Sequence, residues 1–143
     1  MGELQKVYLD SNVFIAFIKS EIGKPFKLMF QEVEDFFKEC SEKYLIVLSK
    51  HAMEEIERIV CYNKEDTKNF FKEMRIPIET IQTISEDNRI AREFFRKGIH
   101  FADALHVALA VRANCEILLT FNKKDFKLVE GIIKVREPKE LIN

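Results

Sequence analysis

The sequence predicts an α/β fold with three layers, α/β/α, around a central and mainly parallel sheet of four to five strands. Two patterns predict it. Continuous apolar runs such as YLIVLS at 44–49 are too short for helices and are typical of strands buried on both faces. Between these runs, apolar residues recur at three- and four-residue spacing, which is the pattern of an amphipathic helix. Buried strands that alternate with helices form a parallel sheet with helices on both faces.

The elements can be assigned in order along the chain. The apolar runs that predict strands are residues 6–10, 44–49, 76–81, 115–121 and 131–135. Pro77 lacks the N–H that an inner strand donates, so it places the third run at an edge of the sheet. The predicted helices are an apolar stripe over 26–40, a helix from Ser49, one from near Asn63, one from Ser85 to Gly98 and one from Phe101 to Asn114.

The composition indicates one domain, residues 1–143, with enough apolar material for its own core. Of the 143 residues, 47% are hydrophobic and 13 are Phe. Several Phe lie in the stripe over 26–40, so we expect a homodimer with part of this stripe at its interface. No apolar run reaches about 18 residues, and the start MGELQK lacks the features of a signal peptide. We therefore expect a soluble, cytoplasmic protein that does not enter a membrane.

The cysteines and the net charge each argue against a class of protein. Cys40, Cys61 and Cys115 are odd in number and have no CxxC spacing, so we interpret them as reduced packing residues rather than disulfide partners or zinc ligands. The formal net charge is −1, so no global field attracts nucleic acid. An anionic ligand must therefore be held by local charges.

Acidic residues are predicted to collect at the carboxyl ends of the strands, where parallel sheets bind their ligands. Asp10 ends the first strand, and Asp125 follows the run 115–121. Asp103 lies in the first turn of a late helix, where the helix dipole favours a carboxylate. Each of these acids alone is explained by a turn, a helix terminus or a solvated loop.

A fourth acid is selected by the helical wheel of HAMEEIERIV. At about 100° per residue, Glu55 lies beside the buried face of this helix, whereas Glu54 points to solvent. Four acids from four segments at one sheet edge would repel one another and raise each other's pKa values. A hard divalent cation, Mg²⁺ or Mn²⁺, would remove that cost, and oxygen ligands select these ions over zinc.

Four segments of the chain carry a family resemblance: VYLDSNVFIAF, LSKHAMEEI, FADALHVALA and LLTFNKKDF. In this order and spacing they resemble the signatures of PIN-domain nucleases, the family that includes VapC-type toxin ribonucleases. The resemblance covers nearly the whole chain. It implies a PIN-like fold and a Mg²⁺- or Mn²⁺-dependent endoribonuclease that cleaves single-stranded RNA. It also implies homodimers and, for a toxin, an antitoxin protein as partner.

The family pattern assigns roles to residues of this chain. The implied metal ligands and catalytic residues are Asp10, Glu55, Asp103 and Asp125. The implied supporting residues are Ser11, Asn12, Thr120 and Asn122. Ser11 and Thr120 would orient carboxylates or a phosphate oxygen, while Asn12 would bond within this cluster or cap the following turn. Asn122 stands where the family often has Asp, so one metal or two remains open.

Basic residues and a histidine near these segments are also candidate site residues. The candidate contacts to the RNA backbone are Lys50, Arg89, Arg92, Lys123 and Lys124. His106 lies inside an apolar helix run, so we interpret it as packed there rather than as a general base.

Two other functional classes remain open from the sequence. One is a receiver-like module that binds a cation, although the chain lacks adjacent acids after its first strand and a strand-end Lys near its C-terminus. The other is a PIN fold without catalysis that serves as a protein-interaction subunit. Within the nuclease class, the sequence does not separate a toxin from an RNA-processing enzyme.

Overall fold

A computed structural model of the chain describes residues 3–21 and 28–142. Its five strands form one sheet in which every neighbouring pair is parallel. The strands are β1 (Gln5–Leu9), β2 (Tyr44–Ser49), β3 (Ile78–Ile81), β4 (Ile117–Leu119) and β5 (Lys134–Arg136). Their order across the sheet is β3-β2-β1-β4-β5. The predicted fold class is thus confirmed, and the strand after Pro77 lies at an edge as expected.

Within the described residues, six α-helices and two 3-10 helices accompany the strands. The α-helices are α1 (Ser11–Ile18), α2 (Met29–Lys43), α3 (Lys50–Val60), α4 (Lys64–Glu73), α5 (Ser85–Arg96) and α6 (Phe101–Arg112). The 3-10 helices are Lys123–Val129 and Pro138–Leu141. Helix α1 was not predicted, because SNVFIAFI is apolar around most of its circumference and shows no helical period. The start of the stripe over 26–40, including Phe26, lies outside the described residues.

The strands alternate their side chains between two cores, one on each face of the sheet. On β1, Val7 and Leu9 enter a core with α1, α2, α3 and α4, while Tyr8 enters a core with α5 and α6. Val47 on β2 and Leu118 on β4 join Tyr8. This alternation is the period of two that a strand imposes, and it produces the α/β/α layers.

Most of the described apolar stripe on α2 is buried within the chain itself. Val33, Phe36, Phe37 and Cys40 all belong to the core on that face of the sheet. Aromatic rings from other elements surround them, including Phe71 at a centroid distance of 5.4 Å from Phe37. Met29 and Phe30, at the start of α2, are half-buried, so the homodimer stays a prediction.

The cysteines do not share one environment. All three are free thiols, and Cys40 is buried as expected of a packing residue. Cys61 is exposed at the C-terminus of α3, where it adopts a left-handed φ of 62°. Its interpretation as a packing residue was therefore wrong.

Within the described ranges, none of the helices has the length and apolar character needed to cross a bilayer.

Candidate metal centre

The carboxyl ends of the three inner strands bring polar residues from separate segments together. Asp10 directly follows β1, Ser49 ends β2 and Thr120 directly follows β4. Because these strands are parallel neighbours, their ends lie at one edge of the sheet. The N–H of Asp10 donates to the carbonyl of Leu119 at 3.0 Å, so the pairing of β1 with β4 continues to the carboxylate residue itself.

The buried carboxylate of Asp10 is held by hydrogen bonds to one of its two oxygens. Thr120 Oγ1 donates to Asp10 Oδ2 at 2.9 Å, and Asn12 Nδ2 donates to the same oxygen at 3.3 Å. Asn12 also accepts a hydrogen bond from the N–H of Phe121. Asn12 therefore bonds across to the loop after β4. Oδ1 of Asp10 has two longer contacts, Ser11 Oγ at 3.5 Å and His106 Nε2 at 3.6 Å, so this oxygen is the more available to a ligand.

Glu55 reaches the same edge from α3. Ser11 Oγ donates to Glu55 Oε1 at 2.8 Å, and His106 Nε2 lies 2.9 Å from that oxygen. Glu54, its neighbour, is exposed. The helical wheel was therefore right about the directions of both side chains. Oε2 of Glu55 has a more distant neighbour, His51 Nε2, at 3.9 Å.

His106 connects Glu55 to the core through a chain of short contacts. Its Nδ1 lies 2.6 Å from the hydroxyl of Tyr8, and this hydroxyl lies 2.6 Å from Ser49 Oγ. Ser49 Oγ in turn accepts the N–H of Ala52 and caps α3. The interpretation of His106 as a packed residue is confirmed by its burial, but it omitted these polar contacts. His106 therefore fixes the position of Glu55 from the buried side of the site.

The electrostatics of Glu55 and His106 are those of an ion pair. Burial raises the pKa of Glu55, but the hydrogen bond and charge of His106, together with the hydrogen bond from Ser11, outweigh it and lower that pKa to about 2. Burial lowers the pKa of His106, but the charge of Asp10 and the hydrogen bond to Glu55 raise it above its usual value. Both shifts favour a carboxylate facing an imidazolium.

Asp103 and Asp125 approach the same region with fewer protein contacts. Asp103 is half-buried in the first turn of α6, and Asp125 is exposed in the 3-10 helix after β4. Burial raises the pKa of Asp103, and the negative charges of Asp10 and Asp125 raise it further. Asp103 therefore lies within electrostatic range of Asp10 and Asp125, although the three acids belong to separate segments.

The donor set fits a hard divalent cation. Asp10, Glu55, Asp103 and Asp125 offer carboxylate oxygens, which Mg²⁺ and Mn²⁺ prefer. Burial and then the charges of Asp10 and Asp125 raise the pKa of Asp103, and a cation beside Asp103 would relieve this cost. Among the described residues, no three of these carboxylates have ligand atoms within 4.8 Å of one another, so Asp103 and Asp125 would have to move closer to Asp10 to share one ion.

The sequence profile of the PIN domain family matches residues 7–132. The chain belongs to the PIN domain family. No curated protein matches the chain significantly.

Solved PIN-fold structures resemble the whole chain at low sequence identity. A chain in the crystal structure of VapBC2 from Rickettsia felis, bound to a promoter DNA fragment, has a TM-score of 0.63 at 19% identity, with 93% of this chain and 98% of that chain covered. VapC20 of Mycobacterium tuberculosis, described as a sarcin–ricin loop cleaving toxin, has a TM-score of 0.62 at 12% identity, covering 91% and 98%. A toxin–antitoxin complex from Klebsiella pneumoniae has a TM-score of 0.62 at 17% identity, covering 92% and 97%. These likenesses show the fold.

The basic residues predicted from the sequence are dispersed around this PIN domain. Arg89 is paired with Glu86 and Glu93 on the exposed side of α5, and Lys123 is paired with Glu140 at 3.0 Å. The side chains of Lys50, Arg92 and Lys124 are exposed. The charge of Arg89 is thus compensated locally.

Two clefts collect lysines at the carboxyl edge of the sheet. One, of about 580 Å³, is lined by Phe121, Lys123, Lys124, Lys127, Glu130 and Glu137. The other, of about 150 Å³, is lined by Lys50, Met53, Lys64, Lys68, Thr80, Ile81 and Gln82. Phe121 contacts Asn12, so the first cleft borders the surroundings of Asp10. Lys64, Lys68 and Lys127 were missed because isolated lysines carry no sequence signal.

Tyr8 and His51, which lie near the carboxylates, were also missed from the sequence. His106 was named there, but its polar contacts were not predicted. Tyr8 could have been found from strand alternation, since position 8 points to the opposite face from Val7 and Leu9. His51 precedes Glu55 by four residues, which places both on one side of α3.

Proposed function

We propose that the chain is a Mg²⁺- or Mn²⁺-dependent endoribonuclease that cleaves phosphodiester bonds of single-stranded RNA. Its ligands and catalytic residues are Asp10, Glu55, Asp103 and Asp125. Membership of the PIN domain family supports this function. The observation that carries it is the position of carboxylates from separate segments at the strand ends, where burial and then the charges of Asp10 and Asp125 raise the pKa of Asp103.

The residues around the carboxylates hold them in position for the reaction. A bound cation would neutralise charge on the scissile phosphodiester and activate a water molecule for attack. Thr120 and Asn12 hold Oδ2 of Asp10, which leaves Oδ1 to the cation. Ser11 and His106 hold Oε1 of Glu55, which leaves Oε2. The carboxylates of Asp10 and Glu55 are therefore each preorganised by a pair of contacts.

The two lysine-lined clefts provide a path for the RNA backbone. Lys124 and Lys127 lie beside Phe121 on one side of the carboxylates, and Lys50 and Lys64 lie on the other. Lysines attract phosphates, and an aromatic ring can stack on an unpaired base. The near-neutral net charge makes these local lysines the source of attraction.

We propose that the chain acts in the cytoplasm as the toxin of a toxin–antitoxin pair. The alternative role for such a nuclease is RNA processing. The solved structures with a similar fold include toxin–antitoxin complexes, which favours the toxin. An adjacent gene for a small DNA-binding protein that copurifies with this chain would support it.

The receiver-like alternative is wrong, because the chain belongs to the PIN domain family. The alternative of a PIN fold without catalysis predicts no cleavage in any metal. The presence of all four carboxylates argues against it.

The test is cleavage of a labelled single-stranded RNA in Mn²⁺ or in chelator. Asp10→Asn and Glu55→Gln should each lower the rate at least about a hundredfold, because a lost ligand removes several kcal/mol of transition-state stabilisation. Glu54→Gln is the matched control and should retain nearly the full rate, since Glu54 faces solvent. Cleavage that persists in chelator, or equal losses from Glu54→Gln and Glu55→Gln, would contradict the proposal.

A further inference from the structure

Two imidazole rings converge on Glu55 from different helices. His106 Nε2 lies 2.9 Å from Glu55 Oε1, and His51 Nε2 lies 3.9 Å from Glu55 Oε2. The centroids of the two rings are 4.5 Å apart. Within residues 3–21 and 28–142, these three side chains form the one group of His, Cys, Asp and Glu residues whose ligand atoms all lie within 4.8 Å of one another.

The His106 ring is held at its other nitrogen. His106 Nδ1 contacts the hydroxyl of Tyr8 at 2.6 Å. Metal-binding histidines are oriented in this way, because an outer contact at one nitrogen directs the other nitrogen to the metal. The Nε2 atoms of His106 and His51 both lie near the carboxylate of Glu55.

His51 Nε2 carries the strongest indication of a ligand. It is shielded from solvent and has no hydrogen-bond partner among the described residues. A buried polar atom of this kind costs about 1–3 kcal/mol unless something satisfies it.

We propose that His51, Glu55 and His106 form a site for Zn²⁺, distinct in chemistry from the carboxylate site for Mg²⁺ or Mn²⁺. Two imidazole nitrogens and one carboxylate oxygen are a donor set that suits Zn²⁺, whereas Mg²⁺ prefers oxygen alone. The bound ion would displace to solvent the proton that lies between His106 Nε2 and Glu55 Oε1. A water molecule would take the fourth position of the tetrahedron, or Asp10 Oδ1, which lies 3.6 Å from His106 Nε2.

The site needs only a small contraction to close on the ion. Metal–ligand bonds of about 2.0 Å in a tetrahedron separate the ligand atoms by about 3.3 Å. The His106–Glu55 pair is already within this distance. The His51 edges must shorten by roughly 1 Å or somewhat more for the same bonds. His51 and Glu55 lie on one helix, and their side chains are 21% and 16% exposed, so both have room to rotate.

Glu55 belongs to both sites, which gives zinc a regulatory effect. Zn²⁺ held by the two histidines takes Glu55 from the carboxylate site, so it should inhibit cleavage supported by Mn²⁺. This effect rests on the proposed nuclease function, whereas the binding of zinc does not.

Calorimetry with Zn²⁺ on the metal-free protein tests the site directly. The chain has three histidines, so His100→Asn is the matched control for His51→Asn. Asn keeps a polar side chain at position 51 but lacks the imidazole nitrogen that would bind the ion. We expect one tight zinc site in wild type, His100→Asn and Asp103→Asn. Zinc should bind at least about a hundredfold more weakly to His51→Asn, because losing a metal ligand lowers zinc affinity more than losing a contact to a ligand does. Cys61→Ser, which removes the exposed thiol, should leave that site intact.

Equal zinc affinity in wild type and His51→Asn would overturn the site, and so would the absence of tight zinc binding by wild type. Cleavage in Mn²⁺ separates this result from the nuclease proposal. With each protein normalised to its own zinc-free rate, Zn²⁺ should inhibit wild type and not His51→Asn. If His51→Asn loses zinc affinity as expected and no protein cleaves RNA, the zinc site stands and the nuclease proposal fails.

Discussion

At the scale of single residues, Tyr8 supports the candidate site from the core. Its hydroxyl lies between His106 and Ser49, 2.6 Å from each, and all three residues are buried. The strand places Tyr8 on one face of the sheet while its ring packs edge-on against His106 at 5.4 Å. The contact therefore couples the packing of β1 to the position of Glu55.

Tyr8→Phe should lower the free energy of unfolding by about 1–3 kcal/mol, because it leaves buried polar groups of His106 and Ser49 without this hydroxyl. Tyr44→Phe is the matched control, since the Tyr44 hydroxyl makes one long bond of 3.4 Å to Leu141. Its cost should be smaller, below about 1 kcal/mol. Urea unfolding of the three proteins measures both changes, and equal losses would contradict the role of Tyr8.

The sequence predicts the carboxylates better than their surroundings. Asp10 and Glu55 follow from strand ends and a helical period, which are local properties of the chain. The histidine contacts depend on how α3 and α6 meet, with His106 lying 51 positions from Glu55. A run such as ALHVALA predicts only burial, because an apolar pattern does not report which polar group faces a buried histidine.

At the scale of elements, α5 and α6 are joined by an ion pair. Arg112 on α6 contacts both carboxylate oxygens of Asp87 on α5, each at 2.9 Å. Asp87 is fully buried and also accepts the N–H of Ile84 at the start of α5. The bidentate geometry fixes the two helices relative to each other.

Arg112→Ala should lower the free energy of unfolding by about 3 kcal/mol, because it leaves the buried carboxylate of Asp87 without its cation. Arg92→Ala, on the exposed face of α5, is the control and should change stability by less than about 0.5 kcal/mol. Chemical denaturation tests this, and a similar small effect of both variants would show that the pair does not hold the helices together.

Element boundaries show which signals the sequence contains. Helices α2 to α6 were all predicted, α2 from its apolar period and α5 from the cap residue Ser85 and Gly98. Helix α1 was not predicted, since five of its eight residues are buried and it shows no polar face. The run 115–121 predicted a longer strand than Ile117–Leu119. The Thr120 N–H still donates to the carbonyl of Arg136 at 2.9 Å, whereas the Phe121 N–H donates to Asn12 instead of a strand. Backbone pairing thus ends at Phe121, beside the polar residues of the site.

At the scale of the whole molecule, the homodimer remains a prediction. The chain's own core covers Val33, Phe36, Phe37 and Cys40 of the α2 stripe, but apolar side chains are exposed elsewhere, including Phe95, Leu128 and Ile132. Light scattering at micromolar concentration should give twice the 16.9 kDa mass of the chain. A monomer mass over the whole range would refute the dimer.

The central claim is that the acids at the sheet edge form one cation site, which couples the stability of the whole domain to metal. The native state alone brings these residues together, so metal should stabilise it by about 1.4 kcal/mol at free Mn²⁺ about tenfold above the dissociation constant. Asp103→Asn removes a charge that Asp10 and Asp125 repel. The variant in chelator should therefore be at least as stable as wild type, in contrast to an ordinary damaging substitution.

The most direct measurement is a pair of melting curves, in chelator and in Mn²⁺, for wild type and for Asp103→Asn. Wild type should gain a few degrees in Mn²⁺. Asp103→Asn should melt no lower than wild type in chelator and should gain less from the metal. No shift of wild type up to millimolar Mn²⁺, or an equal shift of the variant, would contradict the claim that these carboxylates bind the cation.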